Sequence, residues 1–329
     1  MSTESPTAAE ATDPAPRDRK TLTDRLADNG ALVGLLVVCV AMFIATPDFL
    51  TTRNMLNIGV QAAVVAVLAF GMTFVIVSGG IDLSVGSVAA LAAIVTAWSA
   101  AEGVPGLLSV VLGLLAGLAA GAVNGLAVAV IGLPAFIATL AMLSIARGLA
   151  LVISDGSPIP MPAIASRLGD DLGPVPVPVI VLVLAGLFAA FVLNRTVVGR
   201  NMYAVGGNEE AARLSGIRVG RVTVLVYAMS GVFAGLAGLV LAGRLASAQP
   251  QAAFGYELDA IAAVVIGGAS LAGGTGRAFG TLIGALVLAV IRNGLNLLNV
   301  TAFWQQVVIG LVIAVAVAID VLRRKRLTR

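Results

Sequence analysis

The chain has 329 residues, 59% of them hydrophobic and 11% charged, with a mean hydropathy of +1.04. A water-soluble domain of this length needs far more surface charge, so that class is excluded. There is no histidine and only one cysteine, Cys39, which excludes histidine metal sites, a Ser-His-Asp triad and an internal disulfide.

Residues 1–30 are polar, rich in Ala, Thr, Pro and Asp, and read as a disordered tail. Apolar runs of about twenty residues follow, continuous where a β-barrel strand would alternate over about ten. They predict an all-α polytopic membrane protein of about ten transmembrane helices, with a membrane domain over 31–322 and a basic tail over 323–329. The spans fall at 31–46, 57–77, 85–101, 107–131, 134–153, 176–193, 222–243, 258–272, 278–298 and 304–322. The runs 85–101 and 258–272 are short, and either one can be a re-entrant segment rather than a full crossing.

Basic residues orient the array. With the N-terminus cytoplasmic, the inner side holds Arg17, Arg19, Lys20, Arg25, Arg195, Arg200, Arg213, Arg218, Arg221, Arg277 and the cluster Arg323 to Arg329. The outer side holds Arg53, Arg167 and Arg244, so both termini are expected inside. The pI near 9.5 then follows from topology and gives no ground for nucleic-acid binding. Arg147 and Arg292 fall within spans and are expected to snorkel or to form an ion pair.

Along the chain, SGGIDLSVGS (78–87) interrupts two apolar runs. Gly79 and Gly80 stop one helix, and Asp82 or Ser84 can cap the next. The alternative is that these broken ends line a path through the membrane. Gly113, Gly117, Gly121 and Gly125 form a helical stripe for close packing, within the chain or against another subunit. Residues 154–175 form a proline-rich outer loop.

In the inner loop 194–221, NEEAARLSGI predicts a two-turn helix. Asn208 is its N-cap, Glu209 and Glu210 occupy the first turn, Ala211, Ala212, Arg213 and Leu214 continue it, and Gly216 before Ile217 ends it. Further on, Gly267-Gly268-x-x-Leu271-x-x-Gly274-Thr275 repeats the spacing of Gly79-Gly80-x-x-Leu83-x-x-Gly86-Ser87. Asn124 and Asn293 are polar positions on apolar helices, placed for interhelical hydrogen bonds or for substrate contact. The lysines, Lys20 and Lys325, do not follow a P-loop glycine pattern, so no nucleotide site of that kind is present. The carboxylates Asp82, Asp259, Asp320, Glu102 and Glu257 fall near span ends or loops, which weighs against an ion-coupled carrier. No nucleophile–base or metal-ligand set points to an enzyme.

Glu210-Ala211-Ala212-x-x-x-Gly216 resembles the start of the EAA loop of ABC importer permeases, without the Ile-x-Leu-Pro ending of the full pattern. With it, GGIDLSVGS (79–87), GAVNGL (121–126) and GGASLAGGTGRAFGTLIGAL (267–286) resemble the ribose/xylose-type simple-sugar permeases of ABC importers, over roughly residues 35–322. The resemblance implies a multi-pass subunit of the bacterial cytoplasmic (inner) membrane, with no catalysis of its own and no bound cofactor or metal. It implies three kinds of partner besides lipid: an ATPase carrying ATP and Mg, an extracytoplasmic sugar-binding protein, and a second permease copy, identical or related. Residues 208–217 would be the ATPase-coupling segment. Gly79, Gly80, Asp82, Ser84, Asn124, Gly267, Gly268, Gly274 and Asn293 would be helix breaks or path residues. Branched-chain amino acid or nucleoside import is the nearest alternative, and a secondary carrier the alternative from another class.

Overall fold

The computed structural model describes residues 30–327. The polar tail ahead of Gly30 lies outside the described residues, as do residues 328–329. Helix α1 spans Gly30–Ala45, α2 Thr52–Val77, α3 Val85–Ala101 and α4 Gly106–Leu126, the last continued by a π-helical turn at Ala127–Ile131. Then come α5 (Ala135–Ser154), a short α6 (Ala163–Ser166) and α7 (Val177–Arg195). The chain goes on through α8 (Val197–Gly207), α9 (Glu209–Leu214) and α10 (Val219–Arg244). It closes with α11 (Tyr256–Ile266), α12 (Ala278–Leu297) and α13 (Ala302–Leu327), so helix runs into the basic segment expected as a tail.

Among the described residues, six helices are long and apolar enough to cross a membrane: α2, α4 with its π turn, α5, α7, α10 and α12. Helices α1, α3 and the first half of α13 are apolar but shorter. The run 258–272, expected as a short span, is instead the eleven-residue α11 followed by a loop over 267–277. At 1.5 Å per residue α11 covers about 16 Å, about half of a bilayer's hydrocarbon. It ends early because Gly267 and Gly268 adopt a C-terminal cap: Gly268 (φ +90°) and Ala269 donate to the carbonyls of Val265 and Val264 at 2.9 and 3.1 Å.

Helix α2 is the central post. Its side chains are predominantly apolar on every face, and from Ala62 to Val77 all are buried. That pattern belongs to a helix surrounded by others; α10, α12, α7 and α11 pack around it. At the far end, away from α8 and α9, the proline-rich loop folds down as a cap. Strand β1 (Ile159–Pro160) pairs antiparallel with β4 (Ser247–Ala248), and β2 (Asp171–Leu172) with β3 (Val175–Pro176).

The glycine stripe of α4 packs within the chain. A Cβ at Gly117 would stand 2.5 Å from the Gly231 carbonyl oxygen of α10, and one at Gly125 2.6 Å from the Val224 Cα. Gly121 meets the backbone at Tyr227 and Gly231, while Gly113 turns to Ala92 and Thr96 of α3. The two backbones touch where side chains would hold them apart, which gains dispersion contacts that lipid cannot offer. Gly117→Val is therefore expected to cost about 1–3 kcal/mol by overpacking, read as a lower unfolding temperature of the detergent-purified protein. Gly148→Val on α5, where a Cβ meets nothing within 4 Å, is the control and leaves the midpoint unchanged.

Candidate functional site

Two parts of the structure carry sequence-predicted site residues, and both lie toward one end of the bundle. The first is the connection between α7 and α10. Helix α8 starts at Thr196, whose Oγ1 accepts from the Gly199 amide at 3.1 Å, and ends at Asn208. Asn208 also opens α9: its Oδ1 accepts from the Ala211 amide at 2.9 Å. One residue thus closes one helix and starts the next. Glu209 and Arg213 pair across one turn at 2.8 Å on the exposed face. The helix stops as its residues predict. Gly216 (φ +83°) and Ile217 donate to the carbonyls of Arg213 and Ala212 at 3.0 and 3.1 Å.

The segment does not present all its small residues outward. Ala212 is buried and anchors α9, whereas Ala211, Glu210, Arg213 and Leu214 are exposed. Leu214 is 81% exposed, a large apolar side chain at the tip of a polar loop. Behind α9 opens a cavity of about 690 Å³, lined by Gly79, Gly80, Glu209, Arg213, Arg218 and Tyr227 among others.

The second part is the break between α2 and α3. Gly79 (φ +83°) and Gly80 close α2 through hydrogen bonds to the carbonyls of Ile76 and Val75, both 2.9 Å. The expectation that Asp82 or Ser84 caps the first turn of α3 is corrected. Ser84 is the N-cap residue but makes no side-chain cap bond. Asp82 Oδ1 accepts from the Ser84 amide at 3.0 Å and from Ser84 Oγ at 2.6 Å, while Asp82 Oδ2 accepts from Ser230 Oγ of α10 at 3.0 Å. Asn124 Nδ2 of α4 donates to Ser84 Oγ at 2.9 Å. Tyr227 of α10 and Thr139 of α5 both donate to the Ile81 carbonyl at 3.3 Å. One buried turn therefore joins α3, α4, α5 and α10. Asp82, Ser84 and Asn124 are each no more than 2% exposed and hold helices together; of this stretch, Ser78, Gly79 and Gly80 reach the cavity behind α9.

The second glycine stretch is not a structural copy of the first. Gly79 and Gly268 hold equivalent cap positions, so the two motifs are offset by one residue from their sequence match. Gly86 and Ser87 lie within α3, whereas Gly274 and Thr275 lie in a loop, where the Gly274 amide donates to the Val77 carbonyl at 2.9 Å. Tyr203 Oη of α8 donates to the Gly276 carbonyl at 2.7 Å, and Gly206 of α8 lies directly against the Val77 carbonyl. Both helix breaks thus rest on α8. Burial raises the pKa of Tyr203 above its ordinary value and Arg277 partly opposes this, so the phenol stays protonated as the donor at neutral pH. Asn293 pairs with Asn54 of α2 through reciprocal amide bonds of 2.8 and 2.9 Å, an interhelical clasp.

Three carboxylates placed near loops or span ends by sequence lie deep in the bundle. Asp82 and Asp259 are buried, and Glu257 is half-buried in the first turn of α11. Arg292 forms an ion pair with Asp259 at 2.9 Å. Arg147 donates through Nη1 to the carbonyls of Pro250 and Ala252 at 2.6 and 2.9 Å, so it pins the loop before α11 instead of snorkelling. The ion pair of Arg292 is one of the outcomes the sequence predicts; the burial of Asp259 and Glu257 and the contacts of Arg147 are not, because the loop 249–255 turns back against α3, where the Ala253 carbonyl faces Gly86, a course that composition does not encode.

The buried Asp82 turn gives a stability test. Asp82→Ala leaves the Ser84 amide and two hydroxyls without their acceptor and costs about 2–3 kcal/mol. Asp82→Asn keeps one carbonyl acceptor and costs less. The unfolding temperatures of the two purified variants should fall in that order, and an unchanged midpoint for Asp82→Ala would refute the structural role.

A family model described as "Branched-chain amino acid transport system / permease component" matches residues 54–317. The ribose import permease protein RbsC of Bacillus subtilis is 46% identical over 301 residues, 88% of this chain and 92% of that one. The D-allose transport system permease protein AlsC of Escherichia coli is 43% identical over 292 residues, 87% of this chain and 89% of its own. The L-arabinose transport system permease protein AraH of the same organism is 40% identical over 307 residues, 89% and 91% of the two chains. No solved structure gives a significant match.

Proposed function

Because the chain belongs to this permease-component family, as a multi-pass membrane protein, we propose that it is the membrane subunit of an ATP-driven importer of a monosaccharide. The observation that carries the substrate class is the similarity to ribose, allose and arabinose permeases over almost nine-tenths of the chain. It favours a sugar over the branched-chain amino acid in the family description. The membrane is the bacterial cytoplasmic one, crossed about ten times, with both termini inside.

In this reading α9 is the handle for a separate ATPase, which supplies ATP and Mg²⁺. An exposed leucine beside Glu209, Glu210 and Arg213 suits a partner's apolar pocket with a polar rim. Asn208 joins α9 to α8, and α8 touches both helix breaks, so a push on α9 reaches the ends of α2 and α11 without passing through a flexible linker. A binding protein docks on the capped far end and delivers the sugar, and a second permease copy completes the path. Neutral pentoses and hexoses are the cargo class.

The test is reconstitution with the ATPase and binding protein from the same operon. Leu214→Asp changes an exposed side chain, so folding is unaffected, but uptake should fall about tenfold or more, matching the loss of about 1.4 kcal/mol or more of docking energy. Undiminished uptake would remove α9 from the coupling role. Ion-driven uptake by the chain alone would favour a secondary carrier.

A further inference from the structure

A cavity of about 470 Å³ opens between α11, α12 and the first half of α13. Its lining holds Phe254, Tyr256, Asp259, Arg292, Gln306 and Gly310. Its depth follows from α11. The C-terminal end of α11 is fixed against the start of α12, where Gly267 meets Gly280 and Ala263 meets Gly284. Its N-terminal end then lies about 16 Å further along, near the middle of a bilayer.

The chemistry of this lining is unlike a lipid-facing groove. The Asp259 side chain is 8% exposed and the Arg292 side chain 29%, so the cation of the pair opens onto the cavity. Among the described residues, the Arg292 guanidinium makes one hydrogen bond, from Nη2 to Asp259, and has further N–H groups to offer. Its Cζ stands 5.8 Å from the Tyr256 ring centroid. Phe254, 74% exposed, precedes Gly255 (φ +83°) at the mouth of the half-helix. A charged pair partly open at this depth is costly in hydrocarbon, and such pairs mark substrate or ion paths.

Resting on the reading of the chain as a monosaccharide permease, we propose that this cavity is a sugar-contacting station of the translocation path. An anion would compete with Asp259 for Arg292, and a cation would compete with Arg292 for Asp259. A zwitterion would compete for both. A neutral sugar leaves the pair intact: one hydroxyl accepts from a spare guanidinium N–H, another donates to the carboxylate, and the apolar ring face lies on Phe254. Gln306 adds an exposed amide at the rim.

Gly310 supplies the probe. It lines the cavity, and a Cβ there meets nothing within 4 Å, so Gly310→Cys fits without displacement. In a Cys39→Ala background, the full transporter in nanodiscs is treated with a charged, membrane-impermeant methanethiosulfonate, with and without a neutral sugar that the wild type takes up, D-ribose being the first tried. The introduced thiol should react. Sugar at about twice its dissociation constant should slow the reaction about threefold, as the free fraction falls. L-Leucine should not slow it. With Phe254→Ala added, about tenfold more sugar should be needed for the same protection.

A thiol that does not react, or one whose rate is unchanged by a sugar that the wild type transports, overturns the station while leaving the permease reading in place. Protection by leucine alone overturns it too. A wild type that imports leucine and no neutral pentose or hexose overturns the permease reading itself.

Discussion

A helix end packed among other helices must find partners for the amides and carbonyls it leaves over, and this chain ends two helices, α2 and α11, close to one another. Each unsatisfied group costs several kcal/mol in hydrocarbon, so everything near the breaks is arranged around that demand. At both breaks, glycine in a left-handed conformation turns the last amides back onto the helix. After the first, the carboxylate of Asp82 accepts what the following turn leaves free. After the second, the loop leans on the first break through the Gly274 amide and on α8 through Tyr203. The cap glycines Gly79 and Gly268 are distant in sequence, yet the bond from the Gly274 amide to the Val77 carbonyl makes the two interruptions one structural unit.

That unit sits directly behind α9. Asn208 ends α8 and begins α9, so the exposed handle and the helix breaks share a short, hydrogen-bonded connection. Elsewhere the bundle resists deformation. Helices α4 and α10 meet backbone to backbone along Gly117, Gly121, Gly125 and Gly231, which leaves no compressible side chain between them. Motion entering at α9 is therefore expected to move whole helices rather than dissipate within the contact.

Two carboxylates show two ways of placing a charge inside an apolar bundle. Asp82 is surrounded by donors from its own turn and from α10, and it is closed off from every cavity named above. Asp259 is held instead by one cation, Arg292, which opens onto a cavity. The first arrangement ties helices together. The second leaves donors over, and spare donors in a cavity are what a hydroxylated ligand needs.

Much of this was legible in the sequence because it depends on local chemistry. Apolar runs locate most helices. Asn208 and Gly216 bound α9, and Gly79 and Gly80 end α2, since caps and left-handed turns are properties of a few adjacent residues. The four-residue spacing of the α4 glycines announces close packing, though not that the partner is α10. Tertiary structure alone decided the rest. It set the half-length of α11, the one-residue offset between the glycine motifs, the burial of Ala212 and the donors around Asp82. It also brought Arg292 to Asp259, 33 positions away along the chain. Each of these depends on which distant segment arrives beside a residue, and the energy of a buried polar group is set by its neighbours in space rather than by its neighbours in sequence.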